Sequence, residues 1–271
     1  MMRALYTAAT GMRAQQTNVD NISNNIANVN TTAYKTLKTE FKSLLYQTIQ
    51  TKTTTANGAD KPVPAQVGLG TRVASNTSIY TQGSLLESDS KSAFAIEGNG
   101  FFQVRGADGT DYYTRNGSFD WSIGTNGTML TNADGYPVLD TNGKEIVLPN
   151  GVSASSVQIT SEGQIGYLDN TGTYVDLNQT IGLYQFNNPS GLELSGSNLL
   201  SETAASGAPL NEATTAGLTR SKVHQGYLEG SNVQVADEMV NLITAQRAYQ
   251  LNSKAITTSD DMLEQANNLK R

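Results

Sequence analysis

The stretch Asn18–Val29, NVDNISNNIANV, decides how the N-terminal part of the chain is interpreted. Its apolar residues recur at helical spacing, yet five of its twelve positions are asparagine. Asparagine is a mediocre helix former because its side-chain amide competes with the backbone for hydrogen bonds. The stretch therefore predicts a helix whose apolar stripe is bordered by an unusual number of neutral amides.

A seven-residue repeat extends this helix towards the N-terminus. One apolar series and a second series, offset by three residues, consist of Leu5, Met12, Val19 and Ile26, and of Ala8, Gln15, Ile22 and Val29. Together they predict an a/d stripe on a helix from about residue 2 to about residue 29. A second helix is predicted over about residues 38–49, where the residues in helical step are Phe41, Leu44, Leu45 and Ile49.

The C-terminal end carries a matching repeat and predicts another helix. Its seven-residue series and one half-step residue are Val235, Leu242, Tyr249, Ile256 and Leu263, with Met239. Two narrow stripes can bury each other, so residues 1–50 and 226–271 are predicted to form one discontinuous coiled-coil domain. Such a unit buries little apolar surface and should need neighbours.

The middle of the chain has a different pattern. Short apolar or alternating runs are separated by turn dipeptides, namely Asp108-Gly109, Asn116-Gly117, Asn126-Gly127, Asp134-Gly135, Asn142-Gly143 and Asn150-Gly151. Such dipeptides are strong hairpin signals. We predict an inserted antiparallel β-rich domain over residues 71–225, preceded by a linker or extended loop over residues 51–70. The predicted fold class is thus α+β.

Composition excludes several classes of protein. The net charge is −6, from 24 acidic and 18 basic residues, which gives no reason to expect a nucleic acid partner. No apolar run approaches the roughly 20 residues of a membrane span, so no membrane insertion is expected. The absence of cysteine excludes disulfides and thiolate metal sites. The first residues do not resemble a cleavable secretory signal.

No residue pattern predicts catalysis. The lone glycine pair Gly98-Asn99-Gly100 is a poor nucleotide fingerprint and favours a tight turn. His224 is the only histidine, so a histidine-based catalytic triad would have to use it, and one chain cannot supply a metal site with several histidines. We therefore expect no enzyme activity, no catalytic residues, no metal and no cofactor.

Several stretches together resemble the axial proteins of the bacterial flagellum, a family of rod, hook and hook-associated subunits. They are SNNIANVNTTAYK (23–35), EGNGFFQV (97–104), YTRNGSF (113–119), NADGYPV (132–138) and the C-terminal segment from QGYLEGSN onwards (225–263). Ala33 stands where the family usually has a glycine. Because alanine disfavours φ > 0, the substitution bears on the local backbone conformation.

The resemblance implies a structural role in a homo-oligomeric helical polymer. Residues 44–50 and 68–104 resemble subunits of the distal part of the rod in particular. This resemblance implies a rigid tube that carries torque and encloses an export channel. The implied partners are proximal rod subunits, hook subunits, the surrounding outer rings and the flagellar export apparatus. The implied location is the basal body across the periplasm, reached by export without a cleaved signal peptide.

The resemblance also suggests a use for the asparagines. Neutral amides can pair across a subunit interface without the desolvation cost of charges, whereas the alternative is a solvated polar flank. The predicted interface residues are Leu5, Met12, Asn18, Val19, Asn21, Ile22, Asn25, Ile26, Asn28, Val235, Met239, Leu242, Tyr249, Ile256 and Leu263. Alternative functions are another rod or hook subunit and, in a different class, a β-rich adhesin or glycan-binding domain.

Overall fold

The computed structural model describes residues 2–50, 65–124, 127–149, 151–169 and 172–269. The chain forms two units, each discontinuous in sequence. The terminal unit comprises Met1–Ala27, Leu37–Ser78 and Gln234–Arg271. The β unit comprises Asn28–Thr36 and Ile79–Val233.

Strands dominate the described residues. The two α-helices are α1 (Met2–Ala27) and α2 (Val235–Asn268), and two short 3-10 turns span Ala154–Ser156 and Pro189–Gly191. The strands are β1 Leu37–Ser43, β2 Tyr46–Gln50, β3 Ala65–Gly68, β4 Thr71–Ser78, β5 Leu85–Glu87, β6 Phe94–Glu97, β7 Phe101–Arg105, β8 Asp111–Thr114, β9 Phe119–Gly124, β10 Gly127–Asn132, β11 Val147–Leu148, β12 Val157–Ile159, β13 Gln164–Leu168, β14 Tyr174–Thr180, β15 Leu183–Gln185, β16 Glu193–Gly196, β17 Leu199–Ser201, β18 Leu210–Asn211, β19 Lys222–Gln225 and β20 Tyr227–Glu229.

The predicted α-helical coiled-coil domain is wrong. The described chain has many strands and only two α-helices, and the terminal unit itself contains β1 to β4 beside these helices. Helices α1 and α2 contact each other, but the buried side chains of α2 are Glu238, Ala245 and Ser259. Small and polar residues thus replace the apolar seam that a coiled coil requires.

The second predicted helix, over residues 38–49, is also wrong. This segment forms β1 and β2, which pair antiparallel with β4 and β3, respectively. Phe41 lies on β1, Ile49 lies on β2, and Leu44 and Leu45 connect the two short strands, so their spacing only mimics a helical period. The threonines and aromatic residues of the segment favour strand. In the predicted linker, residues 51–64 lie outside the described residues, and residues 65–68 form β3.

The β unit is built from antiparallel sheets. Its largest sheet has six strands in the order β16-β17-β8-β7-β15-β18, and three-stranded sheets have the orders β11-β10-β9 and β12-β13-β14. Two further ribbons pair β19 with β6 and β20 with β5. The main core collects buried residues from most of these strands, including Phe94, Ile96, Phe102, Phe119, Leu130, Ile165 and Val223. The predicted Asp108-Gly109 turn is confirmed between β7 and β8, and Gly109 has a φ of 78°.

Ala33 adopts the backbone conformation that alanine disfavours. Its φ is 58°, and its N–H donates to the backbone oxygen of Glu229 at 2.8 Å. The left-handed region costs a residue with a Cβ roughly 1–2 kcal/mol. The β unit therefore keeps a glycine-like turn at this position although the glycine itself is missing.

We expect Ala33→Gly to stabilise the protein by about 0.5–1 kcal/mol, because relief of the left-handed strain exceeds the entropy that glycine loses on folding. The control is Ala95→Gly in β6, a buried strand position without positive φ, which should destabilise by about 1 kcal/mol. Urea unfolding of both variants measures the difference. An equal loss of stability in the two would refute the strain at Ala33.

Candidate functional site

Asn25 joins α1 to β1 within the terminal unit. It is 1% exposed, and its amide accepts a hydrogen bond from the Leu37 N–H and donates one to the Leu37 oxygen, both at 2.9 Å. Its Nδ2 also lies 3.2 Å from Glu238 Oε2 on α2. The Asn25 amide thus bonds the Leu37 backbone in the way that a neighbouring strand would, which explains one asparagine of the opening stretch. This intrachain role differs from the subunit pairing predicted for Asn25.

The other predicted asparagines have separate surroundings. Asn21 donates to Thr39 Oγ1 of β1 at 2.6 Å, again within the terminal unit. Asn18 is partly buried on α1. Asn28 lies in the β unit, where Thr31 Oγ1 donates to its Oδ1 at 3.0 Å. Asn18, Asn21 and Asn25 thus lie on α1 in the terminal unit, whereas Asn28 lies in the β unit, and pairing of these amides between subunits stays a prediction.

We expect Asn25→Ala to destabilise the chain by about 1–3 kcal/mol for each buried group that it leaves unpaired. Since the bonds are intrachain, the loss should be present in the monomer and independent of protein concentration. Ser23→Ala, an exposed change on the same helix, is the control and should be neutral. The measurement is the urea midpoint at two protein concentrations. A midpoint equal to that of Ser23→Ala would contradict the intrachain role.

The predicted stripes are divided between buried and exposed surfaces. On α1, Ile22 is buried, while the predicted residues that are partly buried are Leu5, Met12, Val19 and Ile26. On α2, Leu242, Ile256 and Leu263 are partly buried, whereas Val235, Met239 and Tyr249 are exposed. The true seam of α2 follows a heptad of small or polar residues that the sequence analysis missed: Glu238, Ala245, Asn252 and Ser259. Asn252 packs so closely against Gly11 that a Cβ there would lie 2.8 Å from its Nδ2.

The terminal unit leaves much of its apolar surface uncovered. Among its described residues, Ile22 is the only buried hydrophobic side chain larger than alanine. In the described part of this unit, sixteen large hydrophobic side chains are exposed, including Leu45 at 82% and Met239 at 55%. An apolar excess of this size on one unit is typical of a surface that another protein chain covers.

The β unit contains a buried cluster of three charged residues. Glu229 Oε1 lies 2.6 Å from Lys35 Nζ, and Glu229 Oε2 lies 2.9 Å from Arg115 Nε. The side chains are nearly inaccessible, at 6% for Lys35, 3% for Arg115 and 0% for Glu229. We call these three residues the ion cluster. It links segments of the chain that lie far apart in sequence.

Further contacts satisfy the groups of the ion cluster. Lys35 Nζ donates to the Thr81 oxygen at 2.8 Å, and Arg115 Nη2 donates to the Gly98 oxygen at 2.9 Å. The Arg115 guanidinium also lies over the ring of Phe101, 5.6 Å from its centroid. A buried charge is tolerated only with such partners.

The electrostatics of the cluster favour a charged Glu229. Burial alone raises the pKa of this carboxyl, but Arg115 and Lys35 outweigh it and hold the pKa below 4.5. Burial, and then the like charge of Arg115, lower the pKa of Lys35 from 10.5 in spite of Glu229. By geometry, the cluster pairs the Lys35 amine and the Arg115 guanidinium with a single carboxylate.

No arrangement in the described residues resembles a catalytic or metal centre. His224 Nε2 lies 2.8 Å from Glu97 Oε2 at the surface, and its ring packs edge-on against Tyr227. Within the described ranges, no three His, Cys, Asp or Glu side chains form a group that could hold a metal. Neither α-helix of the described chain is long and apolar enough to cross a membrane.

Comparison with known proteins assigns the family. The model described as "Flagella basal body rod protein" matches residues 5–35, "Flagellar hook protein FlgE/F/G D1 domain" matches residues 95–167, and "Flagellar basal body rod FlgEFG protein C-terminal" matches residues 224–269. The flagellar basal-body rod protein FlgG of Borreliella burgdorferi is 45% identical over the full length of both chains. The chain belongs to the flagellar basal-body rod protein family. Rod proteins named FlgG from Agrobacterium fabrum (44% identical, over 96% of this chain and 97% of that one) and from Buchnera aphidicola of Acyrthosiphon pisum (42%, over 99% and 100%) are also similar.

The predicted recognition and the predicted structural role in the flagellar rod are thus confirmed. The ion cluster takes one residue from each of the three matched segments of this rod protein: Lys35 from the first, Arg115 from the second and Glu229 from the third. The segments that carry the family resemblance therefore meet physically in the β unit.

Proposed function

We propose that this chain is a subunit of the distal rod and polymerises through its terminal unit into a rigid helical tube. The tube transmits torque from the motor to the hook and encloses the export channel. The family membership and the uncovered apolar surface of the terminal unit support this proposal. The proposed role is structural, without enzyme activity.

The exposed apolar surface of the terminal unit carries the proposal. Val235, Met239 and Ile243 follow one another at four-residue spacing on α2, so they form a stripe that points away from the buried seam. The ribbon of β2 and β3 exposes Tyr46, and Leu45 directly before it is also exposed, although a two-stranded ribbon is marginal without a covering surface. A second copy of the chain presents matching apolar surfaces. The proposed interface keeps Val235, Met239 and Tyr249 and leaves out Asn25, whose amide is used within the chain.

The remaining partners are part of the same proposal. We place the chain in the basal body between proximal rod subunits and hook subunits, within the surrounding outer rings. It reaches this position across the periplasm through the flagellar export apparatus, without a cleaved signal peptide. A second candidate is a hook or another rod subunit, because the family model matched at residues 95–167 is shared by hook and rod proteins.

Replacement of the native distal rod subunit tests the function in cells. A strain that lacks its own distal rod subunit should regain motility when it produces this chain, and a tag on the chain should lie between proximal rod and hook in isolated basal bodies. A tag found in the hook would favour the second candidate. Absence of the chain from basal bodies, despite normal synthesis and export, would refute both.

A further inference from the structure

The β unit is closed by its last segment. Strand β19 pairs with β6, and β20 pairs with β5. Within the described residues, β5 and β6 have no other strand in their sheets. Phe94 and Ile96 of β6 and Val223 of β19 belong to the main core, so this core is incomplete until residues 222–229 are in place.

Glu229 holds three earlier segments at once. Its Oε1 accepts hydrogen bonds from Lys35 Nζ at 2.6 Å and from the Gly83 N–H at 3.0 Å, and its Oε2 accepts one from Arg115 Nε at 2.9 Å. Its backbone oxygen accepts the Ala33 N–H at 2.8 Å. One residue near the C-terminal end thus fixes the backbone at residues 33 and 83 and the charge at residue 115.

Without the Glu229 carboxylate, this site is electrostatically unfavourable. Lys35 and Arg115 would then be two cations in one buried region with no anion between them. Like charges repel strongly where water is excluded, and an unpaired buried charge is costly. The segments that contain Lys35 and Arg115 are therefore not expected to close on each other before Glu229 arrives.

We propose that the ion cluster acts as a completion switch. Repulsion between Lys35 and Arg115 keeps the β unit open until the segment that carries Glu229 is present. Lys35 and Arg115 precede Glu229, and a ribosome delivers the chain from its N-terminal end. A nearly complete chain would thus remain without a closed β unit. Delayed closure of the β unit suits a chain that is exported unfolded, and only this link to export rests on the proposed function. The switch itself is a property of the β unit.

Refolding of the full chain, followed by pulsed hydrogen exchange, tests the switch. The amides of β7 and β8, whose hairpin is local, should gain protection first. The amides of Ala33, Gly83 and β6 should gain protection later, at the same rate as those of β19 and β20. Protection of Ala33 and Gly83 ahead of β19 and β20 would overturn the proposal.

Charge variants separate the switch from a general loss of stability. Glu229→Gln should slow the late phase by about tenfold or more and leave the β7–β8 phase unchanged. Glu97→Gln, which removes an exposed carboxylate that faces His224 across β6 and β19, should change neither phase. Adding Lys35→Met to Glu229→Gln should restore part of the late rate, because one of the two unpaired cations is removed. If the double variant folds more slowly than Glu229→Gln, charge balance does not control closure. The same conclusion follows if Glu229→Gln slows the late phase and the β7–β8 phase equally. If a variant fails to fold, the order of protection in the wild type decides.

Discussion

Glu229→Gln should lower the free energy of unfolding of the β unit by about 3–5 kcal/mol, the usual cost of breaking a buried ion pair by removing one partner. The change keeps the size of the side chain but leaves Lys35 and Arg115 without their common anion. Trypsin, which cleaves after lysine and arginine, should then cut at both residues, which the intact cluster protects. Urea unfolding and mapping of the tryptic fragments measure the two effects.

Glu97→Gln is the matched control, because the Glu97–His224 pair is solvent-exposed and such pairs contribute at most about 1 kcal/mol. The pH dependence gives a second check. Since the pKa of Glu229 is lowered by folding, its contribution to stability is present above about pH 4.5 and is lost as the pH falls through the lowered pKa. The stability difference between wild type and Glu229→Gln should therefore shrink in acid. A constant difference down to the lowest pH would contradict the assignment of the charge.

Met239→Asp should raise the protein concentration needed for polymerisation by about a hundredfold or more. The variant places a charge where the proposed interface buries an apolar side chain, at a cost of several kcal/mol, and each 1.4 kcal/mol is a factor of ten. Met239 is 55% exposed in the isolated chain, so folding of the monomer should be unaffected.

Thr244→Asp controls for the added charge, because Thr244 is also exposed on α2 but lies outside the apolar stripe. It should polymerise at nearly the wild-type concentration. Sedimentation of the polymer at a series of protein concentrations gives the threshold for each variant. Equal thresholds for Met239→Asp and Thr244→Asp would remove this stripe from the interface.

The terminal helices could be predicted because each has a long apolar period. Helix α1 ends at Ala27, close to the predicted residue 29. The same reasoning failed over residues 38–49, since two short strands and their connection reproduce a helical spacing over so few residues. It also failed at the buried side of α2, where Ala245 and Ser259 replace the expected apolar residues; their seven-residue spacing was the available signal.

The intrachain contacts of the site lay beyond sequence reasoning for a different reason. Asn25 belongs to the asparagine-rich stretch that the sequence analysis singled out, but its amide pairs with the backbone of Leu37, which no residue type specifies. The ion cluster joins Lys35, Arg115 and Glu229, which are separated by long stretches of chain, and a single sequence does not show which charges meet. All three lie in stretches that resemble the family, which was the only indication of their importance.

The central claim is that this rod protein assembles with copies of itself through the terminal unit. Electron microscopy of the purified full-length chain, at increasing protein concentration, tests it most directly. We expect monomers at low concentration and hollow tubes of uniform diameter above a threshold, with the threshold raised by Met239→Asp. Folded monomers at every concentration, with no tubes even when preformed rod ends are supplied as seeds, would contradict the account.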